Sequence, residues 1–145
     1  MSDPYKRKLV NHDFYHSKVD IVGKVVVVLD GKLDNRELNL IQPISRAFAQ
    51  HTIIELIGTD EQDAAPGNVV NNICYIGFVE LQNSGVILTG DKVFWNDKEI
   101  GEIAGYDDTH MPNHQNTIIK MKTRISGKEL GIKLNDKLII KGFDK

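Results

Sequence analysis

Short apolar runs separated by turn residues fill most of the chain, and this pattern predicts a protein made mainly of β-strands. The first confident strand covers residues 19–29, where a continuous valine run suits a strand buried on both faces. Gly77 interrupts a later apolar segment and predicts a bend or a β-bulge there. Further strands are predicted over residues 52–57, 69–81, 86–88, 92–95, 99–103, 116–123 and 138–143. Strands of this length and spacing predict a small β-barrel, closed or partly open, with one short helix.

The clearest single element is a hairpin in the second half of the chain. Two apolar, β-favouring runs flank a tight turn at Asn96 and Asp97. Trp95, the only tryptophan of the sequence, lies in the first run beside Phe94. Because neighbouring residues of a strand face opposite sides, we expect one of these rings to face the core. Trp95 is the expected core residue, and an exposed aromatic side chain at an interface is the alternative.

One segment, residues 34–50, has the spacing of an amphipathic helix. Asp34 could cap its start, and Glu37 three residues later completes a pattern like a capping box. Pro43 removes one backbone donor, so we expect either a helix that starts at Pro43 or two short turns that meet there. Leu38, Leu40 and Ile41 would then form a short strand or a plug. The near-helical spacing is that of Leu38, Ile41, Ser45 and Phe48, joined by Ile44 and Ala47.

Length and charge limit the classes of protein to consider. The chain has 145 residues, which suits a single domain over residues 1–145, with residues 1–18 expected as a loosely held arm or an edge strand. The net charge is -2, from 18 basic and 20 acidic residues, so we expect no binding to nucleic acid and none to an anionic membrane. The longest purely apolar run, residues 25–29, is far too short to span a bilayer.

Cysteine usage indicates the compartment. Cys74 is the only cysteine, so no internal disulfide can form, which suits a reducing environment. Residues 1–8 are polar and lack the apolar stretch of a secretory signal, so we expect a cytoplasmic protein. Cys74 itself lies in an apolar run and is expected to be a buried small side chain rather than a nucleophile.

The stretch from residue 105 to residue 116 is the most informative for function. It joins two confident strands, yet it is too long and too polar for a plain hairpin turn. No phosphate loop, dinucleotide fingerprint or serine elbow is present elsewhere. The leading hypothesis is therefore a binding or accessory module that holds a small polar molecule, or a protein partner, through this loop. Its candidate ligand-binding residues are Tyr106, Asp107, Asp108, His110, Asn113, His114 and Asn116.

The same loop supports a second hypothesis, a metal-dependent or histidine-based enzyme. His110 and His114 are four residues apart, which would place both imidazoles on one side of a helical turn. Asp107 or Asp108 could complete a site with three ligands for a divalent metal and an open position for water. Without a metal, His110 or His114 would act as a general base oriented by Asp107 or Asp108. The plain alternative is a structural loop, because aspartate, asparagine and proline also satisfy a loop's own backbone.

Three further expectations concern the rest of the chain. His12 and His16 repeat the four-residue spacing, so a four-histidine site with the loop is a minor alternative. His51 follows the helix candidate and is expected at its C-terminus rather than in a catalytic site. A structural role as a homodimer is the third functional alternative, because exposed strands of a small barrel often pair.

Four features occur in a fixed order in the second half of the chain. They are the β segment 73–81, the Gly-Val-Ile-Leu run with the Gly90-Asp91 turn, the run 114–119, and the closing run 134–138. This order, over about half of the chain, resembles the sorbitol-specific IIA component of the sugar phosphotransferase system. The resemblance implies a small β-barrel. Members of that family carry a phosphoryl group on histidine, but the corresponding stretch, residues 76–79, has no histidine, so phosphoryl transfer is not expected here.

Overall fold

The computed structural model describes residues 19–142, so the expected arm over residues 1–18, with His12 and His16, lies outside the described part. The chain between these limits is mainly β. Its elements are β1 (Ile21–Val28), β2 (Lys32–Leu33), β3 (Leu38–Asn39), β4 (Ser45–Phe48), β5 (Ile53–Thr59), β6 (Val69–Val70), β7 (Ile73–Leu81), β8 (Gly85–Leu88), β9 (Lys92–Trp95), β10 (Lys98–Asp107), β11 (Gln115–Lys120), α1 (Gly127–Leu130) and β12 (Lys137–Lys141).

Seven of these strands form a closed barrel in the order β1-β12-β9-β10-β11-β5-β7, and β7 pairs back with β1. The expected small barrel is therefore confirmed, and it is closed rather than partly open. Within the described chain the contact between β11 and β5 is parallel and the other barrel contacts are antiparallel. β2 continues the line of β1 along β7. The short strands form two ribbons outside the barrel, β3 with β6 and β4 with β8.

The strand β1 differs from the expectation in its burial. Residues Ile21, Gly23 and Val25 are buried, whereas the residues between them are half-buried and Val27 is exposed. From Ile21 to Val25 the strand therefore alternates between a core face and an outer face, as expected of a barrel strand rather than of a strand buried on both faces. Its register against β7 shifts between Val25 and Val27, which is a β-bulge.

Gly77 allows β7 and β1 to approach each other at this bulge. A Cβ atom at Gly77 would lie 2.4 Å from the carbonyl oxygen of Val27, which no side chain tolerates. The register between β5 and β7 also shifts beside Gly77, between Leu56 and Ile57. The predicted irregularity at Gly77 is thus confirmed, and its physical reason is close backbone approach.

The predicted hairpin is confirmed as β9 and β10. Asn96 and Asp97 both have positive φ angles, 51° and 60°, as the tight turn between two twisted strands requires. Trp95 is buried, and its indole N–H donates to the Asp136 carboxylate at 2.9 Å. Phe94 faces the opposite side, beneath the Lys141 ammonium. The assignment of Trp95 to the core is therefore also confirmed.

The predicted helix over residues 34–50 is wrong. Glu37, expected in its first turn, has a φ angle of 56°, which a right-handed helix excludes. Leu38 and Leu40 are buried and Asn39 between them is exposed, so this part has the two-residue period of a strand. The expected cap Asp34 instead accepts a hydrogen bond from Arg124. The expectation that His51 lies at a helix C-terminus is therefore also wrong, since its φ angle of 74° places it in a turn.

The short helix is α1, close to the end of the chain. Ser126 caps it, because its hydroxyl accepts from the Glu129 N–H while the Glu129 carboxylate accepts from the Ser126 N–H. Gly131 ends it in the left-handed conformation. Gly127 allows the helix to pack closely against β7, since a Cβ atom there would lie 1.9 Å from the Ile76 carbonyl oxygen. One short helix was expected, but at another place in the chain.

Two apolar clusters stabilise the fold. The larger fills the barrel and includes Leu56, Trp95 and Tyr106. The smaller lies outside the barrel wall, where Leu38 and Leu40 cover Ile57 and Ile118. Cys74 is buried in the larger cluster, so the expectation of a buried small side chain is confirmed. Within residues 19–142, no helix has the length and apolar character needed to cross a membrane.

Candidate functional site

The loop between β10 and β11, residues 108–114, folds back over the outer surface of the barrel. Its backbone makes two tight turns, because the Asp108 carbonyl accepts from Met111 and the His110 carbonyl accepts from both Asn113 and His114. The bond between His114 and His110 spans four residues, as in one turn of a helix. The loop is therefore held by its own hydrogen bonds.

This turn brings the two histidines of the loop together. The rings of His110 and His114 stack with their centroids 5.0 Å apart and their planes 30° from parallel. His114 is mostly buried, whereas His110 is exposed. The four-residue spacing thus predicts the observed arrangement, even though Pro112 lies between the two residues.

The buried partner of His114 is Glu55, a residue of β5 that sequence reasoning missed. Its Oε1 atom lies 3.1 Å from the His114 Nε2 atom, and its side chain is 7% exposed. The edge of the Phe78 ring contacts His114, with the centroids 4.9 Å apart. A buried carboxylate needs a positive or hydrogen-bonding partner, and His114 is the partner among the described residues.

The barrel register explains how these side chains meet. Glu55 pairs with Asn116 of β11 on one side and with Phe78 of β7 on the other. Asn116 in turn pairs with Asp107 of β10. Residues that are directly opposite in a sheet share a face, so these four side chains form one row across the outer surface. The loop crosses above this row and places His114 over Glu55.

The three residues Glu55, His110 and His114 form a cluster with the donor atoms of a metal site. One ligand atom from each lies within 4.8 Å of the others. Bonds of about 2.0 to 2.2 Å to a transition metal place ligand atoms about 3 to 4 Å apart. The 3.1 Å between His114 and Glu55 fits this range, and a His110 ring nitrogen lies within 4.8 Å of both ligand atoms.

Asp107, a sequence-predicted metal ligand, is not part of this cluster. Its Oδ2 atom accepts from the Asn39 N–H, and its Oδ1 atom accepts from the Thr109 N–H and the Asn116 amide. The carboxylate therefore fixes the start of the loop and ties it to β3. Glu55 occupies the position beside the histidines that the sequence analysis gave to Asp107 or Asp108.

The other predicted residues take positions around the cluster. Tyr106 is fully buried in the barrel and donates to the Ile87 carbonyl, and burial raises the pKa of its phenol. Asn116 is also fully buried, and its Oδ1 atom has no hydrogen-bond partner in the described chain. Asp108 accepts from the Gln115 amide, which also donates to the Asp107 carbonyl. These contacts fix the base of the loop. Tyr106 lies inside the barrel, whereas Asn116 lies beside Glu55 in the outer row.

A surface cleft of 350 Å³ lies beside the cluster. The loop supplies one wall through Met111, Pro112, Asn113 and His114, and Gln115 follows them. The segment from β4 to the start of β5 supplies the other wall through Arg46, Ala47, Phe48, Ala49, Thr52 and Ile53. His114 thus belongs to both the cluster and the cleft, whereas Asn113 of the sequence-predicted set belongs to the cleft alone.

Fold and site together define a class of protein: a small closed β-barrel with a histidine and carboxylate cluster on its outer surface. The chain belongs to a family of unknown function, DUF6917, whose family model matches residues 15–141. No curated protein and no solved structure matches the chain. The resemblance to the sorbitol-specific IIA components stays a prediction.

Proposed function

We propose that the protein is a metal-dependent enzyme that binds one divalent transition metal ion through Glu55, His110 and His114. The observation that carries the proposal is the convergence of these three side chains from two distant parts of the chain. Two imidazoles and one carboxylate are a donor set typical of catalytic zinc and of non-haem iron. Magnesium and calcium prefer oxygen ligands and fit this set poorly.

Three protein ligands leave coordination positions for water or a substrate. Catalytic metal sites keep such positions, whereas structural zinc sites are closed by four protein ligands. His110 is on the exposed side of the cluster, so the free positions would face solvent and the loop surface. A metal ion there would polarise a bound group or lower the pKa of a bound water. The small polar molecule expected from the sequence would bind at these positions.

The surroundings of the ligands support the proposal. Asp107 and Gln115 fix the loop from which both histidines project. The Phe78 ring packs against His114, whose side chain is only 12% exposed. Residues that orient the ligands of a metal strongly affect its affinity. We also place the protein in the cytoplasm, because Cys74 is its one thiol and no disulfide supports the fold.

The experiment that tests the proposal is metal analysis of tag-free protein purified without chelators. Elemental mass spectrometry should find close to one zinc, iron, manganese, cobalt or nickel ion per chain, before or after reconstitution. His110→Ala and Glu55→Gln should each lose most of the bound metal. His110 is exposed, so its replacement leaves the fold intact and isolates the loss of a ligand.

His51→Ala is the matched control. His51 also lies 3.1 Å from a glutamate oxygen, that of Glu80, but no third ligand from residues 19–142 joins that pair. Metal content should be unchanged in this variant. A protein that binds no metal after reconstitution, or a loss as large in His51→Ala as in His110→Ala, would contradict the proposal. The loop would then be a metal-free binding element, as the leading hypothesis from the sequence has it.

A further inference from the structure

Arg46 gives the cleft beside the cluster a positive charge that no described carboxylate neutralises. Its side chain lines the cleft and is half-buried, and no acidic side chain of residues 19–142 lies within ion-pair distance of it. Arg124, by comparison, pairs with Asp34 and Asp60. A guanidinium held in a cleft is suited to a planar oxyanion, which it can bind through two parallel hydrogen bonds.

The same cleft has exposed apolar side chains on its rim. Ile53 is 37% exposed and Met111 is 39% exposed, one on each wall. Pro112 and the largely buried Phe48 also line the cleft. Ligand sites are mostly apolar surfaces with a few polar groups that set the orientation of the ligand. A hydrocarbon segment bound here would remove the two rim side chains from water.

We infer that this cleft binds a small amphipathic carboxylic acid, with its carboxylate on Arg46 and its hydrocarbon part between Ile53 and Met111. Arg46 is the single residue of the lining with a permanent charge, which balances one carboxylate but not a doubly charged phosphate. The apolar rim favours an organic acid over an inorganic anion. This site goes beyond the metal proposal and does not require a bound metal, although the two share His114.

The test is an NMR titration of metal-free, EDTA-dialysed protein with hexanoate. Three probes separate the parts of the inference: acetate has the charge without the chain, hexanamide has the chain without the charge, and inorganic phosphate is an anion without carbon. Hexanoate should shift the amide signals of the cleft residues in a saturable way. Its affinity should exceed that of each other probe by about tenfold or more.

Variants identify the residues involved. Arg46→Gln should weaken hexanoate binding by about tenfold, and Ile53→Ser should weaken hexanoate binding while leaving acetate binding unchanged. Arg36→Gln is the matched control, because Arg36 is also half-buried and unpaired among the described residues but lies outside the cleft. It should leave hexanoate affinity unchanged.

Several results would overturn the inference. They are the absence of saturable shifts with hexanoate, equal affinity for hexanamide or phosphate, and equal losses in Arg46→Gln and Arg36→Gln. Because the titration is done without metal, a failure here leaves the metal analysis untouched. Conversely, hexanoate binding to a protein that takes up no metal would support the cleft and contradict the metal centre.

Discussion

Glu55 is the residue of the site that the sequence conceals. It lies between Ile54 and Leu56 in an aliphatic strand, so alternation predicts that its side chain faces away from the core. An outward charge in a strand is normally solvated. Its burial comes from the loop of residues 108–114, which is distant in sequence and covers it only in the folded protein. Local pattern therefore predicts the two histidines of the cluster but not their carboxylate.

Asp107 shows the opposite error, because the sequence predicts it as a metal ligand and the structure places it outside the cluster. An aspartate next to two histidines suits a metal ligand, but aspartate is equally suited to accept backbone hydrogen bonds at the start of a loop. The structure uses Asp107 in the second way, with three N–H groups on its two oxygens. Residues 105–116 alone do not distinguish these two roles. One of the donors to Asp107 is Asn39 of β3, which is distant in sequence and reaches Asp107 only in the folded protein.

The link between Asp136 and Trp95 gives a prediction at this scale. Asp136→Ala removes the acceptor for the indole N–H of a buried Trp95 and for the Lys133 N–H. We expect the free energy of unfolding to fall by about 1 kcal/mol, since a buried donor loses its partner. Urea unfolding followed by Trp95 fluorescence measures this. Asp63→Ala, at an exposed aspartate whose carboxylate has no described partner, should change stability much less.

The same carboxylate predicts a pH dependence. Hydrogen bonds from the Lys133 N–H and the Trp95 indole lower the pKa of Asp136 below the usual value of an aspartate. A lowered pKa in the folded state means that the stabilisation is present above the unfolded value and is lost as the pH falls through the folded value. The stability difference between wild type and Asp136→Ala should therefore be constant near pH 7 and shrink below about pH 4. A difference that grew on acidification would contradict this assignment.

Cys74 carries a prediction about reactivity. Burial raises the pKa of its thiol to about 11, well above that of an exposed cysteine. At pH 8 the thiolate fraction is then about a hundredfold smaller than for an unperturbed thiol, and the buried position blocks access as well. Iodoacetamide should modify the folded protein at least about a hundredfold more slowly than the protein in urea. Comparable rates in the two states would mean that Cys74 is accessible.

At the scale of elements, the seven barrel strands could be predicted from the sequence, whereas the position of the helix and the strand β4 could not. Each barrel strand has local signals, such as the positive-φ turn at Asn96 and Asp97 before β10. The segment 34–50 imitates a helix because its apolar residues recur at three and four positions, yet Leu38 and Leu40 also recur at two. In the folded protein Leu38 and Leu40 are both buried, so the two-residue period of a strand is the one that forms. The true helix, α1, has four residues, too few to show any periodicity, although Ser126 and Glu129 do form a capping box.

The contact of α1 with β7 predicts a large effect for a small substitution. Gly127→Ala would place a methyl group 1.9 Å from the Ile76 carbonyl oxygen, so the helix must move. We expect a loss of about 2 to 3 kcal/mol in the free energy of unfolding, as for an overpacked core. Gly31→Ala is the comparison, because Gly31 has strained φ but open space around it and should lose only about 1 kcal/mol. Equal losses in urea titrations would refute the close approach.

At the scale of the whole molecule, closure of the barrel limits the ways in which two copies of the protein could form a dimer. Each of the seven barrel strands already has two neighbours, so pairing of their edges is not a route to a dimer. The expected homodimer stays a prediction, and it would need contacts between outer surfaces or pairing of a ribbon strand such as β4, which has one paired edge among the described residues. Light scattering over a range of concentrations decides between a monomer and a dimer.

Metal binding should also stabilise the whole fold. The ligands of the proposed centre meet only in the native state, so an ion that binds there shifts the unfolding equilibrium. Zinc at a hundred times its Kd should raise the free energy of unfolding by about 2.7 kcal/mol, seen as a higher Tm in calorimetry. His114→Ala should show no such rise, whereas His51→Ala should retain it.

The parallel contact between β11 and β5 has a consequence for the order of folding. Hairpins such as β9–β10 join neighbours in the chain, whereas Glu55 and His114 are 59 residues apart. Loop-closure entropy opposes such distant contacts, so we expect the native hairpins to form before the parallel seam, and the still more distant contact between β1 and β12 to form later again. The cluster lies across this seam. We therefore expect it to be absent from an intermediate in which only the hairpins have formed, so that a nascent chain acquires its site after its hairpins rather than with them.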